Sequence, residues 1–348
     1  WNAIQLRTGS SNHLLDNVEV RYGGDKSLAS LVASVSMTLT NSVIRNSFTS
    51  GVRLQASNSI LTTNIFQNNS NAAISMDLAS NPAINGVTVT NNGLNGVRLD
   101  AGFVYCQTVW NSSSIPYILS GDITVPPGSI LEIGPGQVIK ASSRQEIVVD
   151  GLLRAIGNSS RPIILTSLRD DTAGGDTNNN TTSTGFNGDW SGLRLTSNSR
   201  ASVMSFTEVR VAGDNGTGAI VLDANQMQFA NSTVRNSSSR GITARNHATL
   251  QVTNGLLFSN TDTAIRVESN ASASIVNSTL DSNRRGVVAI DTKVTLINSL
   301  VTNHSASGLF VSGTGAITAS FNDVFNPTAS QGNYEGLLSQ TGSNANIS

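Results

Sequence analysis

Residues 286–312 read Gly-Val-Val-Ala-Ile-Asp-Thr-Lys-Val-Thr-Leu-Ile-Asn-Ser-Leu-Val-Thr-Asn-His-Ser-Ala-Ser-Gly-Leu-Phe-Val-Ser. Short stretches of alternating apolar and polar residues are broken by single positions, Asn298 and Asn303, and by the glycine that opens each new stretch, Gly286 and Gly308. Alternation with period two marks β-strand, and no helical period of 3.6 runs through the segment. Asn and Gly tolerate the left-handed backbone that a sharp corner needs. The stretch is therefore a set of short strands joined at tight corners, and it restarts after 22 residues.

The same restart recurs outward from this segment. A small residue leads an alternating strand at Ala219-Ile-Val-Leu, Gly241-Ile-Thr-Ala and Ala264-Ile-Arg-Val, and earlier at Gly51-Val-Arg-Leu, Ala73-Ile-Ser-Met and Gly96-Val-Arg-Leu, in steps of 22 or 23 residues. The second pattern, Val294-x-Leu296-x-Asn298-x-x-Val301-x-Asn303, is matched by Met227, Phe229, Asn231, Val234 and Asn236, and by Ala273, Ile275, Asn277, Leu280 and Asn283. A longer copy overlies the short one. Trp1, Leu6, Glu19, Val20, Arg21, Gly24 and Asp25 return as Trp190, Leu195, Glu208, Val209, Arg210, Gly213 and Asp214, 189 residues on.

One 22-residue unit cannot bury its own apolar side, but stacking each strand over its counterpart does. The expected fold is all-β: a parallel β-helix of about fifteen coils, a rod on the order of 70 Å long. It is expected to be a single rod over 1–348, with a partial unit at 1–103, a second unit at 104–293 whose part 190–293 matches 1–103, and further coils at 294–348. Two columns of asparagine, at 41, 231, 254, 277 and 298 and at 46, 236, 260, 283 and 303, are expected to form ladders between coils.

Composition excludes several classes. Lys+Arg number 21 and Asp+Glu 22, a formal charge of −1, and charged residues are 12% of the chain, about half the usual 25%. A balance this close to zero does not suit a nucleic-acid binder. Apolar runs are too short to span a membrane as a helix. A single cysteine, Cys106, excludes internal disulfides and cysteine-based zinc clusters. The chain opens at Trp1 without a leader, as expected of a segment cut from a longer array that continues in flanking coils.

The coil pattern resembles the right-handed parallel β-helix proteins of the pectin-lyase-like superfamily. Within residues 109–190, Trp110, Pro116-Tyr117, Gly121-Asp-Ile-Thr-Val125, Leu131-Glu-Ile-Gly-Pro-Gly136, Val149-Asp-Gly-Leu152 and Pro162-Ile-Ile-Leu-Thr-Ser167 resemble a unit of large secreted or surface-exposed bacterial β-helix proteins. The resemblance implies a right-handed coil and an extracellular or cell-surface setting. None of the catalytic motifs of the pectin-degrading relatives is matched residue by residue.

Three features are candidates for chemistry. Asp170, Asp171, Asp176, Asn178 and Asn180 lie in one polar loop, and the last three have the D-x-N-x-N spacing of an oxygen-rich calcium site. Thr181 stands where such a loop has glycine and Asn187 where it has a closing glutamate. Acidic residues follow the Gly-led strands as Asp77, Asp100, Asp223, Glu268 and, one position later, Asp291; Asp77 and Asp100, like Glu268 and Asp291, fall on successive coils, where their backbones are expected about 5 Å apart. Arg53, Arg98, Arg194 and Arg266 point outward from these strands. Paired carboxylates perform glycoside hydrolysis and arginines clamp uronates, so an acidic polysaccharide is the candidate partner, and a polysaccharide lyase or glycoside hydrolase the candidate activity.

The plainer expectation is that these charges are solvated or salt-bridged, and that the chain is a non-catalytic structural or adhesive module. His13, His247 and His304 are not spaced by whole coils, so no histidine cluster is expected. Trp1 and Trp190 are read as packing residues. Thr38/Thr40 and Thr88/Thr90 are too isolated for an ice-binding array.

Overall fold

The computed structural model describes residues 1–199 and 201–336. The last twelve positions assigned to the terminal coils, 337–348, lie outside the described residues. Among those described every regular element is a β-strand, and every sheet pairing is parallel: a fourteen-stranded sheet, a ten-stranded sheet, a nine-stranded sheet and two four-stranded sheets. The fourteen-stranded sheet runs unbroken from Ile4–Leu6 to Asp323–Phe325. The rod thus has about fourteen turns rather than fifteen, and spans about 60 Å at the spacing of neighbouring strands.

Stacking is continuous inside the coil. In the long sheet Leu31 registers with Val52, Val52 with Ile74 and Ile74 with Val97, and the column continues through Tyr117 to Val301 and Val324. All of these are buried, each contributing about 1.5–3 kcal/mol of transfer free energy. The small residue at the head of the repeated strand also has a steric cause. A Cβ on Gly51, Gly241 or Gly286 would lie 2.7, 2.6 or 2.5 Å from a carbonyl oxygen of the next coil.

The long repeat does not superpose on the rod as simple stacking. The Gly-led strands of the first copy, Ser50–Leu54, Ala72–Met76 and Leu94–Leu99, lie in the fourteen-stranded sheet. Their counterparts, from Ile220–Asp223 to Ser307–Ser312, form the ten-stranded sheet instead. The slip falls between Ala83–Asn85 and Thr88–Thr90, where the two four-stranded sheets end, and Gly102–Phe103 and Gln107–Trp110, where two new sheets begin. Side chains bridge the seam: Asn81 Oδ1 accepts the Val109 N–H (3.2 Å) and Ser112 Oγ accepts the Ile84 N–H (3.3 Å). Trp110 and Tyr117 fill the core above it, edge to face at 5.9 Å, and burial pushes the Tyr117 hydroxyl up to about 12.

The asparagine columns resolve into two kinds. Asn41, Asn231, Asn254, Asn277 and Asn298 hold left-handed corners, with φ between 49 and 53°. Their exposed side chains link coils in pairs, Asn254 Nδ2 donating to Asn231 Oδ1 (2.9 Å) and Asn298 Nδ2 to Asn277 Oδ1 (2.7 Å). The second predicted column mixes two registers. Asn46, Asn236 and Asn303 are left-handed corners, whereas Asn260 and Asn283 are buried one position further on, behind corners made by Ser259 and Ser282.

The buried rungs form an inner ladder. Asn260 Oδ1 accepts the Ser237 N–H (3.0 Å) and Asn283 Oδ1 accepts the Asn260 N–H (2.9 Å). In the first copy Asn69 Oδ1 accepts the Ser47 N–H (3.0 Å), while its Nδ2 donates to Ile44 O (3.2 Å) and Asn92 Oδ1 (2.8 Å). Each rung satisfies a corner amide that the strand ladders cannot reach. Asn69→Ala leaves these buried groups unpaired and is expected to cost about 2–4 kcal/mol. The exposed Asn298→Ala is expected to cost about 1–2 kcal/mol, for left-handed strain. Urea denaturation of the two variants checks the order.

Candidate functional site

The outward charges are tied to one another across coils. Arg53, only 8% exposed, registers with Ser75, and Ser75 with Arg98. Arg53 reaches over Ser75 to Asp100, on the second coil along, with Nη1 3.0 Å from Oδ1 and Nη2 2.5 Å from Oδ2. Asp77 does lie one coil from Asp100, since Met76 registers with Leu99, but its carboxylate turns the other way, to the corner of the preceding coil. It accepts the Ala56 N–H (2.9 and 3.1 Å) and the Ser80 hydroxyl (2.7 Å). The two expected partners are thus neighbours in backbone and separate in chemistry.

The second expected pair is out of register. Glu268 stands opposite Ile290, so Asp291 lies one position beyond it. Glu268 accepts Arg266 Nε from its own strand (2.7 Å). Asp291 sits in a left-handed corner (φ 52°) and accepts the Thr314 N–H (2.9 Å). The arginines also part company, because of the slip: Arg53 and Arg98 lie on the fourteen-stranded sheet, Arg194 and Arg266 on the ten-stranded one. Arg194 holds Glu146 (3.0 Å), Arg245 holds Asp223 (2.8 Å), and Arg285 holds both oxygens of Glu335 (2.9 Å each). Hydrogen bonds from these arginines keep Asp223 and Glu335 below the usual carboxylate range. The Arg98 side chain has no hydrogen bond or ion pair among the described residues.

The acidic loop, residues 168–189, folds back along the rod as a strap over the outer face of the long sheet. Asn95 N–H donates to Thr177 O (2.7 Å) and Asn95 Nδ2 to Asp176 O (3.2 Å). Gly174, at φ +69°, rests on Pro116 and Val138, where a Cβ would come within 2.8 Å of the proline. Asp170 is filled by protein donors: Thr166 Oγ1 (2.7 Å) and Arg210 Nη1 (3.2 Å) on one oxygen, the Thr172 N–H (3.1 Å) and hydroxyl (2.5 Å) on the other. Burial opposes its ionisation, but these bonds prevail and hold its carboxyl low. Asp171 Oδ2 takes the Ser183 N–H (2.6 Å), and Asp176 takes the amides of Asn180 (3.2 Å) and Thr181 (3.0 Å). Buried oxygens of Asp171 and Asn178 have no protein partner. Among the described residues no group of three or more His, Cys, Asp or Glu is placed to hold a metal ion.

The cation these carboxylates face is Lys140. It projects outward from the long sheet between Ile118 and Thr166, yet it and Ile118 are wholly buried beneath the strap. Lys140 Nζ donates to Gly175 O (2.6 Å). Desolvation lowers its pKa to about 8, against the pull of Asp171, Asp170 and Asp176. Spacing gave no sign of this residue, because alternation marks Lys140 only as an outward position. The network beside it, Arg210 with Glu208 (2.7 Å) and Glu208 with Arg235 Nε (2.5 Å), was visible only as part of the long repeat. Trp190 and Trp1 donate their indole N–H to the carbonyls of Arg210 (2.8 Å) and Arg21 (3.0 Å), but only Trp190 is buried in the core; Trp1 is 52% exposed.

A right-handed β-helix region is the family pattern that the sequence matches, over residues 2–118 and 173–324. The chain therefore belongs to the right-handed β-helix family. It is also similar to Protein bark beetle of Drosophila melanogaster, 38% identical over 71 residues; the match covers 20% of this chain and 2% of that relative. No solved structure is a significant match. No helix among the described residues is long and apolar enough to cross a membrane.

The Lys140 geometry fixes the sign of a pH effect. Its native pKa lies near 8 and its ordinary value at 10.5, so in that window the unfolded chain binds the extra proton. Native stability is expected to rise from about pH 8 to pH 10 by up to about 1.4 kcal/mol per unit, until loss of the Tyr117 proton from the unfolded chain begins to oppose it. Denaturant titrations should show the rise in the wild-type chain and not in Lys140→Met.

Proposed function

We propose that this chain is a non-catalytic structural and adhesive segment of a longer extracellular β-helix protein. One observation carries the reading: Asp77, Asp100, Glu268 and Asp291, the carboxylates best spaced for catalysis, each accept hydrogen bonds from the chain's own donors. A general acid or nucleophile needs an oxygen free to meet substrate in a site that excludes water. Here Asp77, Asp100 and Asp291 tie one coil to another, and Glu268 is held by Arg266 of its own strand. The extracellular setting rests on the resemblance of residues 109–190 to units of large secreted proteins. A stiff rod with outward side chains repeated at every coil suits spacing and multivalent weak contact.

A second reading, recognition of an acidic polysaccharide, is favoured by Arg98, whose side chain has no protein partner among the described residues. Incubation with uronate-containing polysaccharides, with and without calcium, separates the two. The expected result is no new reducing ends and no unsaturated product. Turnover that disappears in Asp77→Asn or Asp100→Asn would overturn the non-catalytic reading, whereas retention on the same polymers that is lost in Arg98→Ala would establish the second.

A further inference from the structure

The inner ladder contains one rung that is not asparagine. Ser237, Asn260, Asn283, His304 and Asn326 succeed one another, each amide N–H received by the side chain of the next coil. His304 is wholly buried. Its Nδ1 accepts the Asn283 N–H at 3.2 Å, and its own N–H goes to Asn326 Oδ1 at 2.8 Å. An Nδ1 that accepts carries no proton, so the neutral ring bears its hydrogen on Nε2, which is buried without a partner. The pocket has no slack on that side. A Cβ built on Gly286 would lie 2.8 Å from Nε2 and 2.6 Å from Val301 Cγ1.

We propose that His304 is an acid-sensitive rung, whose protonation breaks the inner ladder and releases the coils around residues 281–326 while the asparagine rungs upstream hold. A proton on Nδ1 removes the acceptor of the Asn283 amide and sets two donors against each other. Two backbone carbonyls favour the charged ring, Asn283 O at 3.4 Å and Leu280 O, but desolvation outweighs them. Asparagine at the same rung carries an amide that does not titrate in this range, so the neighbouring rungs lack this response.

The charged groups on the adjoining elements do not rescue the imidazolium. Asp281 favours the charged ring, but it is outweighed by desolvation, which lowers the His304 pKa to about 4. The Asp281 carboxylate is already held by Ser282 (2.7 Å), Thr302 (2.9 Å) and Asn303 (2.7 Å). Arg284 is engaged by Asp262 and Arg285 by Glu335, and Asp323 is exposed on the outer face. Below the ordinary value of 6.5 the unfolded histidine takes a proton that the native one refuses, until about pH 4. Across that window the folding equilibrium weakens by up to about tenfold per pH unit.

The test compares the full chain with His304→Asn, which restores the column's usual rung, and with His247→Asn at an exposed histidine. Acid unfolding is followed by circular dichroism, and exchange protection of residues 281–326 is compared with that of 207–258. The expected result is an acid midpoint at least one pH unit lower in His304→Asn, no change in His247→Asn, and early loss of protection confined to 281–326 in the parent. Identical acid curves for parent and His304→Asn overturn the proposal. So does an NMR titration placing the His304 ring near pH 6.5 with the fold intact. If His304→Asn folds poorly, that titration in the unmodified chain decides alone.

Discussion

The structure depends on a single constraint at its corners. Where the chain turns inward between strands, a backbone N–H is buried beyond reach of the parallel ladders. An unpaired buried amide costs about 1–3 kcal/mol, and a rod repeats the problem at every coil. The solution is a side chain borrowed from the next coil: Asn69 for Ser47, Asn260 for Ser237, Ser278 Oγ for Gly255 (3.0 Å), Ser299 Oγ for Ser278 (3.1 Å). Neighbouring coils are therefore joined by strand pairing, by apolar columns and by these polar rungs. Removing one coil would orphan the amides of the coil before it.

This constraint explains what sequence could and could not disclose. The parallel coil, its spacing and its small lead residue follow from period two, a 22-residue restart and Gly or Ala at fixed places. The inner rung was blurred by one residue because Ser259 and Ser282 take the left-handed corner that Asn236 and Asn303 take elsewhere. With the corner residue variable, asparagine alone does not mark its own register. The same holds for His304: its counterparts along the rod are not histidines but the asparagines at 260, 283 and 326, so its spacing from His13 and His247 carries no information about its role.

Spacing also located the outward charges without giving their direction. Asp77 and Asp100 are on successive coils as expected, yet one caps a corner and the other meets Arg53 two coils away. Both facts depend on side-chain reach, to which periodicity is blind. The slip near residues 83–110 goes further. Two copies with matching residues present them on different sheets, so equivalence in sequence is not equivalence of face. Nothing local to either copy carries that information, because the slip is made between them, by Asn81, Ser112 and the Trp110–Tyr117 pair.

The sparse charge of the chain now has a structural cause. A charged column along a face would repel itself at every coil, so charges are few; Asp223 reaches across coils to Arg245, and the like-charged neighbours Arg210 and Arg235 share the carboxylate of Glu208. Neutral Asn, Ser and Thr supply polarity without that repulsion. Departures from the scheme become informative against so regular a background. Lys140 is a buried cation under a strap, His304 a titratable rung among inert ones, and Arg98 an arginine whose side chain has no partner among the described residues. A solenoid satisfies itself coil by coil, and the residues that it leaves unsatisfied, or satisfies in an unusual way, are where it has freedom to respond to acid or to meet another molecule.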